Sequence, residues 1–247
     1  MSDVAARIAE NLARVRGRIA AAATRAGRSA DTITLVAVTK YVSVDIAAAL
    51  VAAGCADLGE SRPQDLWAKA AALAGEAAAA AGVPSLPPAI RWHLIGHLQR
   101  NKIRRTLPLV HLIHSVDSRR LLAALEEEAA GLGCPAAVLL EANISGDIAK
   151  TGLAPDELEP VLADAAKWPH VSIRGLMGMA SLVGGADAAK RDFAKLLKLR
   201  DRLTMNLPPG VSLAELSMGM SGDFEVAIEA GATIVRVGSA LVEGIAV

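Results

Sequence analysis

The chain has 247 residues, a formal net charge of +0, and a composition that is 53% hydrophobic, 21% charged and 2% aromatic. Low charge with high apolar content excludes a globally disordered chain, and neutral charge with few aromatic residues disfavours a nucleic-acid-binding protein. The length suits either two small domains or one large α/β domain.

The sequence pattern carries neither a signal peptide nor a membrane span. The first ten residues contain early acids and no apolar signal core. The charge-free run 77–90 is interrupted by glycine and prolines, whereas a span needs about 20 continuous apolar residues. Cys55 and Cys134 form no C-x-x-C pair, so we expect both to be small buried hydrophobes in a reducing cytosol. We therefore expect a cytoplasmic protein.

Apolar periodicity divides the chain into alternating helices and strands. Apolar residues recur every three or four positions over 3–26, which predicts an amphipathic helix. The β-branched run 33–38 predicts a buried strand. Further strands are predicted at 56–58, 92–95, 110–114, 136–142, 173–177, 213–216 and 233–237. Further helices are predicted at 44–53, 63–80, 98–106, 118–130 (with Ser118 as N-cap), 155–166, 187–205 and 223–230.

This alternation implies a parallel sheet with helical crossovers. Eight such units in about 250 residues favour a single (β/α)8 TIM-type barrel with an extra N-terminal helix. A doubly wound open sheet is the alternative. Because no segment resembles an interdomain linker, we expect residues 1–247 to form a single domain.

Functional groups of a parallel barrel lie at the C-terminal ends of its strands, which is where the first strand places Lys40. Partial desolvation there would leave more of the neutral amine for Schiff-base chemistry. From its position alone, an ordinary surface lysine at the start of the following loop is the favoured interpretation. Ser217 and Ser221 lie in a glycine-rich loop before a helix, which is typical of a phosphate site. Arg236, Gly238 and Ser239 end the last strand, and loops after strands seven and eight of barrels often bind phosphate.

Other polar clusters are less informative. His93 and His97 are four residues apart, but they lack the glutamate of a zinc helix and lie on a predicted strand and turn. We therefore predict no metal site. We expect structural roles for the remaining histidines and a solvated face for the basic cluster at 100–105.

Several segments, in family order over nearly the whole chain, resemble the pyridoxal phosphate homeostasis protein family, which is similar to the N-terminal barrel of alanine racemase. They are Val-Ala-Val-Thr-Lys at 36–40, Trp-His-Leu-Ile-Gly-His-Leu-Gln-Arg-Asn-Lys at 92–102, His-Ser-Val-Asp at 114–117, Gly-Leu-Met at 175–177, Leu-Ser-Met-Gly-Met-Ser at 216–221, Asp-Phe-Glu at 223–225 and Arg-Val-Gly-Ser at 236–239. One departure is Ser61-Arg62, where the family has Asn-Tyr. A contact through that asparagine is therefore not carried over.

The resemblance implies that Lys40 forms a covalent aldimine with pyridoxal 5′-phosphate. It also implies that Ser217, Ser221, Gly238 and Ser239 surround the phosphate and that Arg236 faces the pyridine nitrogen. An arginine can only donate hydrogen bonds, so that nitrogen should stay unprotonated. A neutral pyridine is a weak electron sink, which disfavours aminotransferase chemistry.

Racemases of this barrel type resemble two-domain dimers in which a second domain supplies a tyrosine base. This chain ends eight residues after Ser239, and its only tyrosine, Tyr41, should point away from Lys40 if the two are strand neighbours. The favoured hypothesis is thus a non-catalytic, monomeric carrier or buffer in vitamin B6 homeostasis, which hands pyridoxal phosphate to apo forms of enzymes that use it. The alternative is a single-domain amino-acid racemase or related pyridoxal phosphate enzyme.

Overall fold

The computed structural model describes residues 3–79, 90–145, 151–181 and 184–246, and within them eight parallel strands close into a barrel. Each strand pairs with its sequence neighbour, and the last strand pairs with the first, joining Val36 to Arg236. This closure confirms the predicted (β/α)8 barrel, and the doubly wound alternative is wrong.

The elements follow the predicted alternation. The strands are β1 (Thr34–Val38), β2 (Asp57–Glu60), β3 (Arg91–Leu94), β4 (Val110–Val116), β5 (Ala136–Glu141), β6 (Val171–Met177), β7 (Glu215–Ser217) and β8 (Ile234–Val237). The helices are α1 (Asp3–Arg25), α2 (Val44–Ala52), α3 (Pro63–Ala79), α4 (Ile103–Thr106), α5 (Arg119–Leu132), α6 (Leu158–Ala163), α7 (Gly185–Thr204) and α8 (Phe224–Glu229). The hydroxyl of Ser118 accepts a hydrogen bond from the backbone of Leu121, as expected of the α5 N-cap.

Two predicted helices are shorter than their apolar pattern suggests. The predicted helix 98–106 is a 3₁₀ turn, Arg100–Lys102, followed by the single turn of α4, and neither piece has a side-chain N-cap. Pro108, which has no N–H, follows α4 closely. The predicted helix 155–166 is divided between α6 and a 3₁₀ turn, Ala165–Lys167. Both regions lack the caps and length that sustain a regular helix.

Helix α1 packs against α2, α8 and the segment that follows β8. Its apolar stripe is buried, including Ile8 and Val15. On the neighbouring face Arg18 pairs with Glu225 of α8, with Nη2 2.8 Å from Oε2. Asn11 donates two hydrogen bonds to backbone oxygens of the segment after β8, those of Leu241 and Glu243. The extra N-terminal helix thus ties the beginning of the described chain to its end.

The described helices include none that is long and apolar enough to cross a membrane. Most of the charge-free run 77–90 lies outside the described residues. Both cysteines are free thiols, and Cys55 is buried as expected. Cys134 is only half-buried, so the prediction of a buried Cys134 is wrong. It follows directly on Gly133, the left-handed C-cap of α5, where the chain leaves the helix.

Candidate functional site

A pocket of about 450 Å³ opens at the C-terminal ends of β1, β3, β7 and β8. That volume is typical of small-molecule sites. Its polar lining comes from Lys40, Ser221, Arg236 and Ser239, and its apolar walls include Val38 and Ile95. The pocket thus lies at the end of the barrel where parallel barrels hold their functional groups.

The structure brings most of the predicted site residues together. Lys40, Ser221, Arg236, Gly238 and Ser239 all line this pocket. Ser217 does not reach the pocket wall, because it is 0% exposed in the barrel interior. Its hydroxyl is already engaged by His114 and Arg236. This position does not favour a direct contact between Ser217 and a phosphate.

Lys40 lies in a turn two residues beyond the end of β1 and is exposed. Lys40 is therefore not desolvated by its own strand, and its position agrees with the interpretation as a surface lysine at the start of the loop after β1. The strand-neighbour argument about Tyr41 is wrong for the same reason, because neither residue is in a strand. The turn brings the Lys40 Nζ to 4.8 Å from the centroid of the Tyr41 ring, and Tyr41 is itself 76% exposed. The amine of Lys40 is accessible to molecules that enter the pocket.

A buried polar cluster supports the backbone just before Lys40. The ammonium of Lys69 donates to the carbonyl oxygen of Thr39 over 2.5 Å and to Oε1 of Glu60 over 2.6 Å. The hydroxyl of Thr39 donates to the same Glu60 oxygen over 2.7 Å. Oε2 of Glu60 is the one buried side-chain nitrogen or oxygen without a hydrogen-bond partner in the described part of the chain. The sequence analysis did not identify Lys69 as a buried residue. The available signal was that Lys69 is the single lysine of an alanine-rich helix.

The loops after β7 and β8 lie side by side, as the phosphate prediction required. The Ser221 hydroxyl of the first loop accepts hydrogen bonds from the backbone N–H groups of Gly238 and Ala240 in the second, over 3.1 and 3.5 Å. Two N–H groups that converge on one oxygen form the kind of arrangement that receives an anion. Gly219 makes the first loop possible: its φ is +90°, and a Cβ there would lie 2.5 Å from the Cβ of Ala227.

The loop after β2, which contains Ser61 and Arg62, packs against the loop after β3. A Cβ on Gly96 would lie 2.3 Å from the backbone oxygen of Ser61, so only glycine permits this approach. The preceding residue, Ile95, belongs to the pocket wall. Ser61 and Arg62, which depart from the family pattern, therefore lie next to the part of the pocket wall that β3 and its loop supply.

Arg236 closes the floor of the pocket and is only 4% exposed. Its Nη1 donates to the Ser217 hydroxyl over 2.5 Å, and its Nη2 donates to the carbonyl oxygen of Gly178 over 3.3 Å. Burial lowers the pKa of the guanidinium to about 10, against the opposing charges of Asp223 and Glu141. Arg236 therefore stays protonated at neutral pH and can only donate hydrogen bonds.

A line of buried polar side chains continues below Arg236. Ser217 contacts Nδ1 of His114 over 2.8 Å, Nε2 of His114 contacts Nδ1 of His93 over 2.9 Å, and Nε2 of His93 contacts Oδ1 of Asp57 over 2.9 Å. Asp57 begins β2, so the line runs from the N-terminal end of the barrel towards the pocket. Sequence reasoning missed it, because the partners are far apart in the chain. The available signal was a histidine at a buried position in each of two neighbouring strands.

His93 and His97, which are four residues apart in the sequence, lie in different environments. His93 is buried in the interior, whereas His97 is exposed and its Nδ1 lies 3.3 Å from Oδ2 of Asp117. Across the described ranges, no group of three or more histidine, cysteine, aspartate or glutamate side chains could hold a metal ion.

In the basic cluster, Lys102 and Arg105 lie over the Trp67 ring, and Arg104 pairs with Glu128.

Comparisons with known proteins identify the family of the chain. The model of the alanine racemase N-terminal domain family matches residues 6–244. The pyridoxal phosphate homeostasis protein of Pseudomonas aeruginosa is 41% identical over 236 residues, which cover 95% of this chain and 94% of that protein. Two solved structures extend the likeness to three dimensions.

The first is a protein of unknown function from Bifidobacterium adolescentis, with a TM-score of 0.88 and 38% identity, over 98% of this chain and 96% of that chain. The second is PipY from Synechococcus elongatus with pyridoxal phosphate bound, with a TM-score of 0.79 and 33% identity, over 95% of this chain and 99% of that chain. All three relatives are covered over at least 94% of their own length. The chain therefore belongs to the pyridoxal phosphate homeostasis protein family, which shares the barrel of the alanine racemase N-terminal domain.

Proposed function

We propose that the protein binds pyridoxal 5′-phosphate in this pocket, through a Schiff base on Lys40, and carries or buffers it in vitamin B6 homeostasis. The observation that carries the proposal is the convergence of an accessible amine, a buried guanidinium and two hydroxyl-bearing loops on one pocket. These groups complement an aldehyde, a pyridine nitrogen and a phosphate. The bound cofactor in PipY supports the assignment.

Lys40 supplies the nucleophile. Its neutral amine attacks the aldehyde carbon, a C=N bond forms, and the aldehyde oxygen leaves as water. The exposure of Lys40 lets the ligand enter and lets water or another amine reach the linkage for release. A reversible linkage at an accessible lysine suits a carrier.

Ser221, Gly238 and Ser239 are the proposed phosphate contacts. The Ser221 hydroxyl now accepts from the Gly238 N–H, so an arriving phosphate oxygen would take over that donor and leave the hydroxyl free to donate to the phosphate. The family resemblance implied that Ser217 contacts the phosphate. Its buried position and its hydrogen bond to Arg236 favour a different role, which is to hold the Arg236 guanidinium in place.

Arg236 is the proposed partner of the pyridine nitrogen. Because it can only donate, it keeps that nitrogen unprotonated and the ring a weak electron sink. The racemase alternative needs a second base across the ring from Lys40. Tyr41 is the one tyrosine of the sequence, and its ring lies beside the Lys40 amine rather than opposite it. Carriage is therefore favoured over racemisation.

The proposal extends to partners and location. We propose that residues 1–247 act as a single domain, as a monomer in the cytoplasm, and that the recipients are apo forms of pyridoxal phosphate enzymes. Two free cysteines support a reducing compartment. The open position of Lys40 supports direct transfer, because a lysine of a recipient could reach the linkage.

Borohydride trapping tests the binding claim. The purified protein, incubated with pyridoxal phosphate, should show a near-visible absorption band, and after reduction peptide mass spectrometry should find the label on Lys40. Lys40→Ala should lose both signals, whereas Lys167→Ala, at an exposed lysine outside the pocket, should keep them. A label on another lysine would overturn the site. Exchange between D- and L-amino acids that disappears in Lys40→Ala would overturn the carrier-only proposal.

A further inference from the structure

The line of buried polar side chains below Arg236 has a hydrogen-bond donor at one end and an acceptor at the other. We call Asp57, His93, His114 and Ser217 the interior relay. At the upper end, Arg236 can only donate to Ser217. At the lower end, burial raises the pKa of the Asp57 carboxyl, but hydrogen bonds from His93 and Arg91 outweigh it and lower the pKa to about 2. Asp57 is therefore ionised and can only accept.

Asp57 already pairs with the Arg91 guanidinium through two hydrogen bonds, so we infer that His93 is neutral. With a neutral His93, the two ends determine every proton between them. The Nε2 of His93 must donate to Asp57, which leaves Nδ1 of a neutral His93 as an acceptor for Nε2–H of His114. Burial lowers the pKa of His114 well below its usual range, and the charge of Arg236 acts in the same direction. A neutral His114 then has an accepting Nδ1, so the Ser217 hydroxyl donates to it. Ser217 in turn accepts from Arg236.

All four hydrogen bonds therefore point the same way, from Arg236 towards Asp57. Each O–H or N–H dipole turns its negative end towards the guanidinium and its positive end towards the carboxylate. The direct acceptors that the structure gives the guanidinium are uncharged, namely the Ser217 hydroxyl and the Gly178 carbonyl. In a medium of low dielectric constant, aligned dipoles strengthen one another and stabilise a buried charge.

We propose that His93, His114 and Asp57 are positioning residues for Arg236, and that the interior relay holds this guanidinium charged and directed at the pyridine nitrogen of the ligand. The proposal rests on the proposed function for its ligand but not for the relay itself. Asp57 serves as a remote counter-charge at the opposite end of the barrel. Because the relay ends on an arginine that keeps its proton, it orients and polarises the site and delivers no proton to it.

Other charged groups surround the relay without joining it. The His111 ring lies 5.7 Å from the His93 ring, in an edge-on arrangement. Arg91 forms two hydrogen bonds to Asp57, over 2.7 and 2.5 Å, and fixes the carboxylate from outside the barrel. Arg174 adds a positive charge near His111. Arg174 and Arg91 act on His111, whose pKa is lowered mainly by burial. At the other end of the relay, burial lowers the pKa of Arg236, but the charges of Asp223 and Glu141 raise it and add to the support of its charged form.

Nuclear magnetic resonance of the side-chain nitrogens tests the relay without any ligand. In the protein free of pyridoxal phosphate, His93 and His114 should both carry their proton on Nε2 and should keep it there across the neutral pH range. An Nδ1–H tautomer at His114, or a charged His114 at neutral pH, would reverse a hydrogen bond of the relay and overturn the proposal.

Two variants test its effect on the ligand. His114→Phe interrupts the relay, and Asp57→Asn removes the charge but keeps the acceptor oxygen. A cation near the pyridine nitrogen disfavours protonation of the imine. His114→Phe, which releases Arg236 from its position, should therefore raise the pH midpoint of the near-visible band, whereas Asp57→Asn, which removes a negative charge and keeps the hydrogen bonds, should lower it. His114→Phe should also bind pyridoxal phosphate about tenfold more weakly, the effect of losing one hydrogen bond to a charged group.

His170→Phe is the matched control, because it makes the same chemical change at an exposed histidine that pairs with Glu126 and contacts no member of the relay in the described structure. It should leave both the midpoint and the affinity unchanged. Wild-type values in Asp57→Asn and in a folded His114→Phe would overturn the proposal. If His114→Phe does not fold, Asp57→Asn decides alone. A wild-type protein without any band would refute the proposed function, whereas the histidine tautomers would still decide whether the relay exists.

Discussion

Replacing Lys69 by methionine tests the buried cluster beneath the pocket. Methionine keeps the apolar stem of the side chain, so the change removes mainly the ammonium group. That group bonds to Glu60 over 2.6 Å and to the Thr39 carbonyl over 2.5 Å, and the two charged side chains are 10% and 0% exposed. The variant leaves a buried carboxylate with Thr39 as its remaining partner. Such a loss costs about 3–5 kcal/mol of the free energy of unfolding.

Urea unfolding of the ligand-free protein at neutral pH, followed by circular dichroism, measures this free energy. Adding Glu60→Gln to the variant removes the stranded charge and should recover part of the loss. Lys167→Met makes the same chemical change at an exposed ion pair, so it should leave the free energy close to the wild-type value. A loss of less than about 1 kcal/mol in Lys69→Met, or no recovery in the double variant, would refute the reasoning.

Three further outcomes are expected. Asp57 has a pKa of about 2 in the folded protein. Its contribution to stability is therefore complete above the unfolded-state pKa and is lost as the pH falls through the folded-state pKa. Urea unfolding at decreasing pH should show that the difference in free energy of unfolding between wild type and Asp57→Asn closes in acid, and a constant difference would contradict this. Gly219→Ala should destabilise the protein by about 1–3 kcal/mol, measured in the same way, because of the positive φ and the clash with Ala227. Burial raises the Cys55 pKa to about 11, so mass spectrometry after iodoacetamide treatment of the native protein should find Cys134 labelled before Cys55; the reverse order would contradict the burial.

The barrel was predictable because its signals are local. Runs such as 35–38 and 136–140 are apolar throughout, as is typical of strands buried on both faces, and each is followed by a helical pattern. Strand ends in a parallel barrel share one edge, so Lys40 and Arg236 could be placed near each other from their positions in the sequence alone. Errors arose where local pattern was weak, as in the predicted helix 98–106.

The polar interior was not predictable in the same way. His93 was compared with His97, four residues on, whereas its partners are 21 and 36 positions away. Those pairings depend on how adjacent strands register after the barrel closes. The exposure of Lys40 and the burial of Ser217 likewise depend on where each strand stops, and strand ends are the least certain part of a sequence pattern.

The hydrogen bonds between α1 and the segment after β8 have a consequence for synthesis of the protein. Asn11 and Leu241, which they join, are 230 positions apart, and the pocket itself needs both the turn after β1 and the loop after β8. Contacts of such long sequence separation form late in folding. On the ribosome, the growing chain exposes Lys40 long before the phosphate loops emerge. Under the proposed function, affinity for pyridoxal phosphate would arise only when the barrel closes, and nascent chains would not compete with finished molecules for it.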